Sequence, residues 1–147
     1  MNQKAIKAAQ RVLRYERQQL NLMLSRIAKT RADISSIDHR IRCLQSHILS
    51  NLTSRDSVCA NELHGRENLI SYEARVDVQV GKLRKDRERL VEELVPAEKN
   101  LVRKRARVKS IETLVERSQA ALAQEREFHA GIELSDLVLG SFTKETS

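Results

Sequence analysis

The sequence is poor in the side chains that usually build a compact globular core. It contains two Tyr, two Phe and no Trp, so that aromatic residues make up 3% of its 147 residues. It also contains only one Pro and four Gly, the residues that most often form turns. Charged residues make up 32%, and the abundance of Ala, Leu, Glu, Lys, Arg and Gln is typical of long helices and coiled coils.

The sequence also lacks a long apolar run. No run approaches the roughly 18 residues that a membrane-spanning helix needs, and no signal-peptide pattern opens the chain. We therefore expect a cytoplasmic location without membrane insertion. Cys43 and Cys59 fit a reducing compartment. We expect both to be free thiols, because the hairpin predicted below holds them roughly 20 Å apart.

An apolar repeat of seven residues runs through the first part of the chain. Seven consecutive heptads carry Ile or Leu at the same position: Ile6, Leu13, Leu20, Ile27, Ile34, Ile41 and Ile48. This spacing keeps one stripe of a helix facing a partner helix. Because no Pro or Gly interrupts the sequence there, the pattern predicts a first helix over about residues 2–52.

The repeat loses its phase at residues 53–66. Ser, Asp, Asn and Gly collect there, and these residues favour turns and helix caps. We therefore predict a chain reversal at 53–66, followed by a second helix over about residues 67–128. Residues 129–147 contain two glycines and are expected to form a loosely ordered tail.

Pro96 is the only proline and lies inside the second predicted helix. A proline in a helix interior costs about 3 kcal/mol and usually kinks the helix. The apolar repeat nevertheless keeps its phase on both sides of it, from Leu94 to Leu101. We therefore predict a continuous second helix with a kink at Pro96.

Two amphipathic helices with one short connection fold back most simply as an antiparallel coiled-coil hairpin. The predicted fold is therefore all-α, with the hairpin over residues 1–128 and the second helix longer than the first. A turn centred near Cys59 places Glu16 close to Lys104, and Thr30 and Arg31 near Arg87. A parallel homodimer would satisfy the same heptads and remains an alternative.

The net charge of +7 is unevenly distributed. Residues 1–52 hold ten Lys or Arg against three Asp or Glu, residues 53–98 hold eight against ten, and residues 99–128 hold eight against four. The hairpin brings the first and third blocks together, so its open end is predicted to be basic. Such a surface attracts an acidic partner, although charges of this kind can also simply solvate exposed helix faces.

His39, Cys43 and His47 recur every four residues on one side of the first predicted helix, as metal ligands would. A structural zinc site needs four converging ligands, and the predicted register supplies no fourth. We therefore predict no metal site. The sequence has no phosphate-binding Gly loop, no H-E-x-x-H and no G-x-S-x-G motif. Because a two-helix hairpin also offers no deep pocket for acid–base chemistry, we predict neither enzymatic activity nor a cofactor.

Nucleic-acid binding is the alternative that the positive charge raises. The sequence has no basic-region motif, and Tyr15, Tyr72, Phe128 and Phe142 are too dispersed for a stacking platform. Binding would then be driven by phosphate contacts, non-specific and steeply weakened by salt. A basic coiled-coil adaptor that binds nucleic acid or another acidic partner non-specifically is therefore the second hypothesis, and nucleic acid is not the expected partner.

Over residues 5–128 the sequence resembles the FliJ/YscO (SctO) stalk proteins of flagellar and virulence type III secretion. The resemblance consists of similar length, an unbroken first helix, a polar turn and a longer second helix. The run "EKNLVRKRARVKSIETLVERSQ" (98–119) is similar to the basic, Arg-rich end of that family's second helix. Two departures are Pro96 and the scarcity of aromatic residues around the turn, where only Tyr72 stands.

The resemblance implies a non-enzymatic stalk that links and activates a hexameric export ATPase and contacts the cytoplasmic ring of the export gate. It also implies peripheral association with an inner-membrane secretion apparatus, with secretion chaperones as further partners. The expected ATPase-binding residues are Lys4, Lys7, Arg11, Arg14, Arg103, Arg105, Lys109, Arg117 and Leu122. The expected export-gate-binding residues are Asn61, Leu63, Leu69, Ile70, Tyr72 and Val76.

Overall fold

A computed structural model describes the backbone of residues 2–57 and 63–145, and the side chains of residues 2–51 and 68–143. These residues form two helices, α1 (Gln3–Ser57) and α2 (Leu63–Glu145), of 55 and 83 residues. No strand occurs in these ranges. The prediction of an all-α protein with two helices, the second longer, is confirmed. Both helices extend into the predicted turn at 53–66, whose centre lies outside the described residues.

The first turn of α1 is closed by the residue that precedes it. The Asn2 side-chain oxygen accepts a hydrogen bond from the Ala5 backbone N–H at 2.8 Å. The Asn2 carbonyl accepts a second one from the Ile6 N–H at 3.1 Å. An asparagine at this position satisfies donors that the start of a helix leaves unpaired, so the local sequence explains where α1 begins.

Helix α2 continues through Pro96 without a break. On either side of it Leu94 is half-buried and Leu101 is 7% exposed, so the packing face keeps its phase across the proline. Burial of this face offsets the lost backbone hydrogen bond. The predicted kink stays a prediction.

The C-terminal end of α2 differs from the expectation of a loosely ordered tail at 129–147. The helix extends to Glu145, and no glycine in the described residues has a positive φ. A helical glycine costs only about 1 kcal/mol relative to alanine. Gly131 and Gly140 are separated by eight residues that include three leucines, which are good helix formers. Two isolated glycines therefore do not end the helix.

Contacts between the helices divide the chain into two compact units. Unit 1 comprises Met1–Asn21 and Val102–Ser147, and unit 2 comprises Leu22–Leu101. The predicted heptad stripe of α1 is its packing face in both, because Ile6, Leu13, Ile27 and Ile41 are each at most 9% exposed. The face of α1 that packs is therefore the one that carries the Ile/Leu stripe.

Unit 2 is built around a cluster formed by Ile41, Val76 and Val80. Half-buried apolar side chains from both helices pack against this cluster: Ile37, Leu44, Ile48, Tyr72 and Leu83. The three central residues are 3–9% exposed, so this is where most of the local hydrophobic stabilisation arises.

Two ion pairs show the register within unit 2. Arg31 Nη2 lies 2.8 Å from Glu98 Oε1, and Arg87 Nε lies 2.6 Å from Asp38 Oδ1. The residue of α1 that lies later in the chain, Asp38, pairs with the residue of α2 that lies earlier, Arg87. This is the order of contacts that an antiparallel hairpin predicts. The predicted proximity of Thr30 and Arg31 to Arg87 is wrong. That register would oppose two arginines, whereas the observed one gives each arginine a carboxylate.

The buried apolar residues of unit 1 are Ile6 and Leu13 on α1 and Val108 and Val115 on α2, each at most 7% exposed. Glu16 lies in the same seam and is 5% exposed. Among the residues whose side chains the structure describes, it is the one charged residue that is buried. Unit 1 therefore combines a short apolar seam with a charged layer.

Candidate functional site

The basic stripe of α1 is the first component of the candidate site. Lys4, Lys7, Arg11 and Arg14 follow one another at intervals of three, four and three residues. Side chains at this spacing lie on one face of a helix. All four are exposed, and they point away from the seam that holds Ile6 because they lie roughly 100° or more around the helix from it.

Helix α2 supplies the other cations of unit 1 that the sequence predicted. Arg103, Arg105, Lys109 and Arg117 are exposed, whereas Leu122 is half-buried. The two paired segments, 2–21 and 102–122, together contain eleven Lys or Arg against three Asp or Glu. The structure therefore brings all nine predicted ATPase-binding residues into one unit, and eight of the nine are cations on two segments with a strong excess of positive charge.

The cations of unit 1 fall into two groups. Arg17 pairs with Glu112 at 2.7 Å, and Lys104 and Arg107 both pair with Glu16, the latter at 3.5 Å. In the described part of the chain, no salt bridge involves the eight cations of the predicted set. Those eight, which we call the basic surface, therefore carry charge that the structure leaves uncompensated: Lys4, Lys7, Arg11, Arg14, Arg103, Arg105, Lys109 and Arg117.

The sequence predicted that Glu16 lies close to Lys104. This prediction is confirmed, because the Lys104 side chain contacts the Glu16 carboxylate. The pKa of Glu16 is lowered from its ordinary value of 4.5. The main cause is the hydrogen bond from the Lys104 side chain, and the charge of Arg107 adds to it while burial opposes it. A paired charge inside an apolar seam favours one alignment of the two helices over shifted ones.

The residues predicted to contact the export gate have diverse environments in unit 2. Ile70 is 64% exposed, Leu69 and Tyr72 are half-buried, and Val76 is 3% exposed. The Tyr72 ring packs edge-to-face with His47 at a centroid distance of 6.1 Å. Asn61 and the side chain of Leu63 lie outside the described residues. Val76 is instead a core residue, because its side chain is enclosed by its own unit and cannot reach a partner.

The His39, Cys43 and His47 row lies on the surface of α1. Cys43 Sγ is 3.5 Å from His39 Nε2, and Cys43 is an exposed free thiol as predicted. Cys59 lies outside the described residues. Among the residues described, no three His, Cys, Asp or Glu side chains come close enough together to hold a metal ion.

A large apolar surface lies near the end of α2, where the sequence had predicted a loosely ordered tail. All described residues from 123 to 143 are exposed, and seven of them are large apolar residues: Phe128, Ile132, Leu134, Leu137, Val138, Leu139 and Phe142. The signal in the sequence was the spacing of Phe128, Ile132, Leu139 and Phe142, which lie near one face if the helix continues past Gly131. This spacing was not interpreted as a helix face, because residues 129–147 were predicted to form a loosely ordered tail.

Neither helix, over the ranges that the structure describes, contains a stretch long and apolar enough to cross a membrane. Comparison of the chain with protein-family profiles, with curated proteins and with solved structures found no match.

Proposed function

We propose that the chain is a non-enzymatic stalk of a type III secretion apparatus, which links and activates a hexameric export ATPase and contacts the export gate. The observation that carries the proposal is the basic surface of unit 1, where eight exposed cations have no carboxylate partner in the described residues. Unpaired surface charge of one sign contributes little to folding and much to attracting an oppositely charged partner. In this proposal unit 1 binds the ATPase.

The coupling needs no chemistry on the stalk itself. A single polypeptide inside a ring of six identical subunits makes different contacts with each of them. Any subunit conformation that binds the basic surface more tightly is then favoured over the others, by the difference in binding free energy. Exposed arginines suit this role, because a guanidinium forms two parallel hydrogen bonds with a carboxylate.

The export-gate contact is proposed for unit 2, through its exposed apolar residue Ile70 and the half-buried Leu69 and Tyr72 beside it. Ile70 is the best candidate, since an isoleucine that is 64% exposed gains the most by being covered. Val76 is not part of this proposed surface. The stalk would act in the cytoplasm, associated peripherally with an inner-membrane apparatus.

The test reverses the charge of the basic stripe on α1. In one variant Lys4, Lys7, Arg11 and Arg14 are all replaced by Glu. This should leave the helix intact, because Glu forms helices about as well as Lys and Arg, and an acidic residue at position 4, in the first turn, interacts favourably with the helix dipole. The matched control replaces four exposed cations of the same helix within unit 2, all unpaired in the described residues: Arg26, Lys29, Arg40 and Arg42.

The measurement is the ATP hydrolysis rate of the purified secretion ATPase of the same cell, together with its assembly by light scattering. We expect the wild-type chain and the unit 2 control to promote the hexamer and raise turnover, and the unit 1 variant to do neither. Far-UV circular dichroism checks that helicity is unchanged. If no chain affects the ATPase, and the wild type binds DNA or RNA with an affinity that falls steeply with salt, the adaptor hypothesis replaces the stalk.

A further inference from the structure

The C-terminal segment, residues 123–143, differs from the rest of unit 1 in both charge and polarity. It contains one Arg against four acidic residues, whereas the paired segments of the same unit are strongly basic. Its large apolar side chains are 43–71% exposed. A helical segment that is this apolar, and whose described residues are all exposed, presents a surface for another molecule.

Four of these side chains form a stripe along the segment. At about 100° of rotation per residue, Phe128, Ile132, Leu139 and Phe142 fall within a sector of roughly 80°. Ser135 lies in the same sector between Ile132 and Leu139. We call these five positions the C-terminal stripe. Its spacing of four, three, four and three residues is that of a helix-packing seam.

The order of side chains in the C-terminal stripe is nearly the same in both directions. It reads Phe, Ile, Ser, Leu, Phe, with the largest residues at the ends and the smallest in the middle. Two identical helices that run in opposite directions can therefore pair through it. Phe128 of one copy then lies near Phe142 of the other. The two Ser135 side chains meet at the centre, where their small size leaves room for close approach.

The segment is acidic, with Glu125, Glu127, Glu133 and Asp136 against one Arg. This charge disfavours binding to an anionic lipid surface.

The available area is sufficient for a dimer. The C-terminal stripe and the adjacent Val138 present roughly 500 Å² of apolar surface per copy, given about 150–250 Å² for an aromatic side chain and less for an aliphatic one. Two copies together would bury roughly 1,000 Å², which is about the area that a specific protein interface needs. The largest apolar patch of a typical monomer is roughly 300–600 Å².

We propose that two copies of this chain associate through an antiparallel pairing of residues 123–143 across the C-terminal stripe. The inference does not depend on the secretion-stalk proposal, because it uses only the apolar and acidic residues of this segment. It assigns a partner to the exposed apolar end of α2.

The first test measures mass in solution by sedimentation equilibrium on the full chain at tens of micromolar. We expect twice the chain mass of 16.9 kDa for the wild type, and the chain mass for a variant with Ile132→Glu and Leu139→Glu. The matched control adds the same two charges on the polar face of the same helix, through His129→Glu and Gly140→Glu, and should remain dimeric. Gly140 has open space around it, so the control substitution fits.

A second test determines the direction of pairing. Glu125→Cys and Thr143→Cys are made separately in a chain whose Cys43 and Cys59 are Ser, and the two proteins are mixed with a short bismaleimide. An antiparallel pair joins the two variants to each other, whereas a parallel pair joins each variant to itself. A monomeric wild type, self-joined products, or binding to anionic vesicles in place of dimerisation would each overturn the proposal.

Discussion

Replacing Val76 by alanine tests whether this side chain belongs to the buried core of unit 2. Val76 is 3% exposed, in the cluster with Ile41 and Val80. The change removes two methyl-sized groups at about 0.8 kcal/mol per buried carbon, and it leaves a small cavity. We expect the free energy of unfolding to fall by about 2 kcal/mol.

Val78 provides a matched control two residues further along the same helix. It is 59% exposed, so Val78→Ala removes little buried surface. Alanine is also the better helix former by a few tenths of a kcal/mol. We therefore expect a change of less than about 0.5 kcal/mol, in the stabilising direction.

The assay is urea unfolding followed by tyrosine fluorescence. The chain has no Trp and two Tyr, so Tyr15→Phe leaves Tyr72, which packs against the Ile41 cluster, as the reporter of unit 2. A loss of about 2 kcal/mol lowers the urea midpoint by roughly 1 M, given m-values of about 1–3 kcal/mol/M. Equal midpoints for Val76→Ala and Val78→Ala would refute the core assignment and return Val76 to the proposed export-gate surface.

Two further predictions concern the charged contacts. Because the pKa of Glu16 is lowered in the folded state, its carboxylate stabilises the fold above its ordinary pKa of 4.5, and this contribution is lost as the pH falls through the lowered value. The difference in unfolding free energy between wild type and Glu16→Gln should therefore be full near neutral pH and shrink in acid, and a pH-independent difference would contradict the ion pair. For Asp38 and Arg87, whose side chains are 38% and 43% exposed, a double-mutant cycle should give a coupling of about 0.2–1 kcal/mol that decreases with added salt. A coupling insensitive to salt would argue against a solvent-exposed pair.

The helices and their packing face were predictable because they depend on local sequence. The recurrence of Ile or Leu every seven residues identifies the buried side of α1 without knowledge of its partner. The contact between Glu16 and Lys104 was predictable for a related reason. Two charged residues in otherwise apolar seams are expected to face each other, since a buried charge needs a partner.

The register of unit 2 was less predictable, because it depends on which residues of two distant segments meet. The turn position inferred from composition placed Glu16 correctly near Lys104, but it also placed Arg31 near Arg87. In the structure Arg31 pairs with Glu98, and Arg87 pairs with Asp38. Considering charge matching together with the turn position would have excluded a register that opposes two arginines.

The end of α2 shows why a weak local signal should not override a periodic one. Gly131 and Gly140 suggested a loose tail, yet each costs only about 1 kcal/mol in a helix. The apolar spacing from Phe128 to Phe142 predicted a helix with a surface to cover. An isolated helix of that composition gains little stability from propensity alone, because most helical stability in proteins comes from packing of an apolar face. The exposed apolar face of this segment is therefore the surface on which the proposed second copy of the chain would pack.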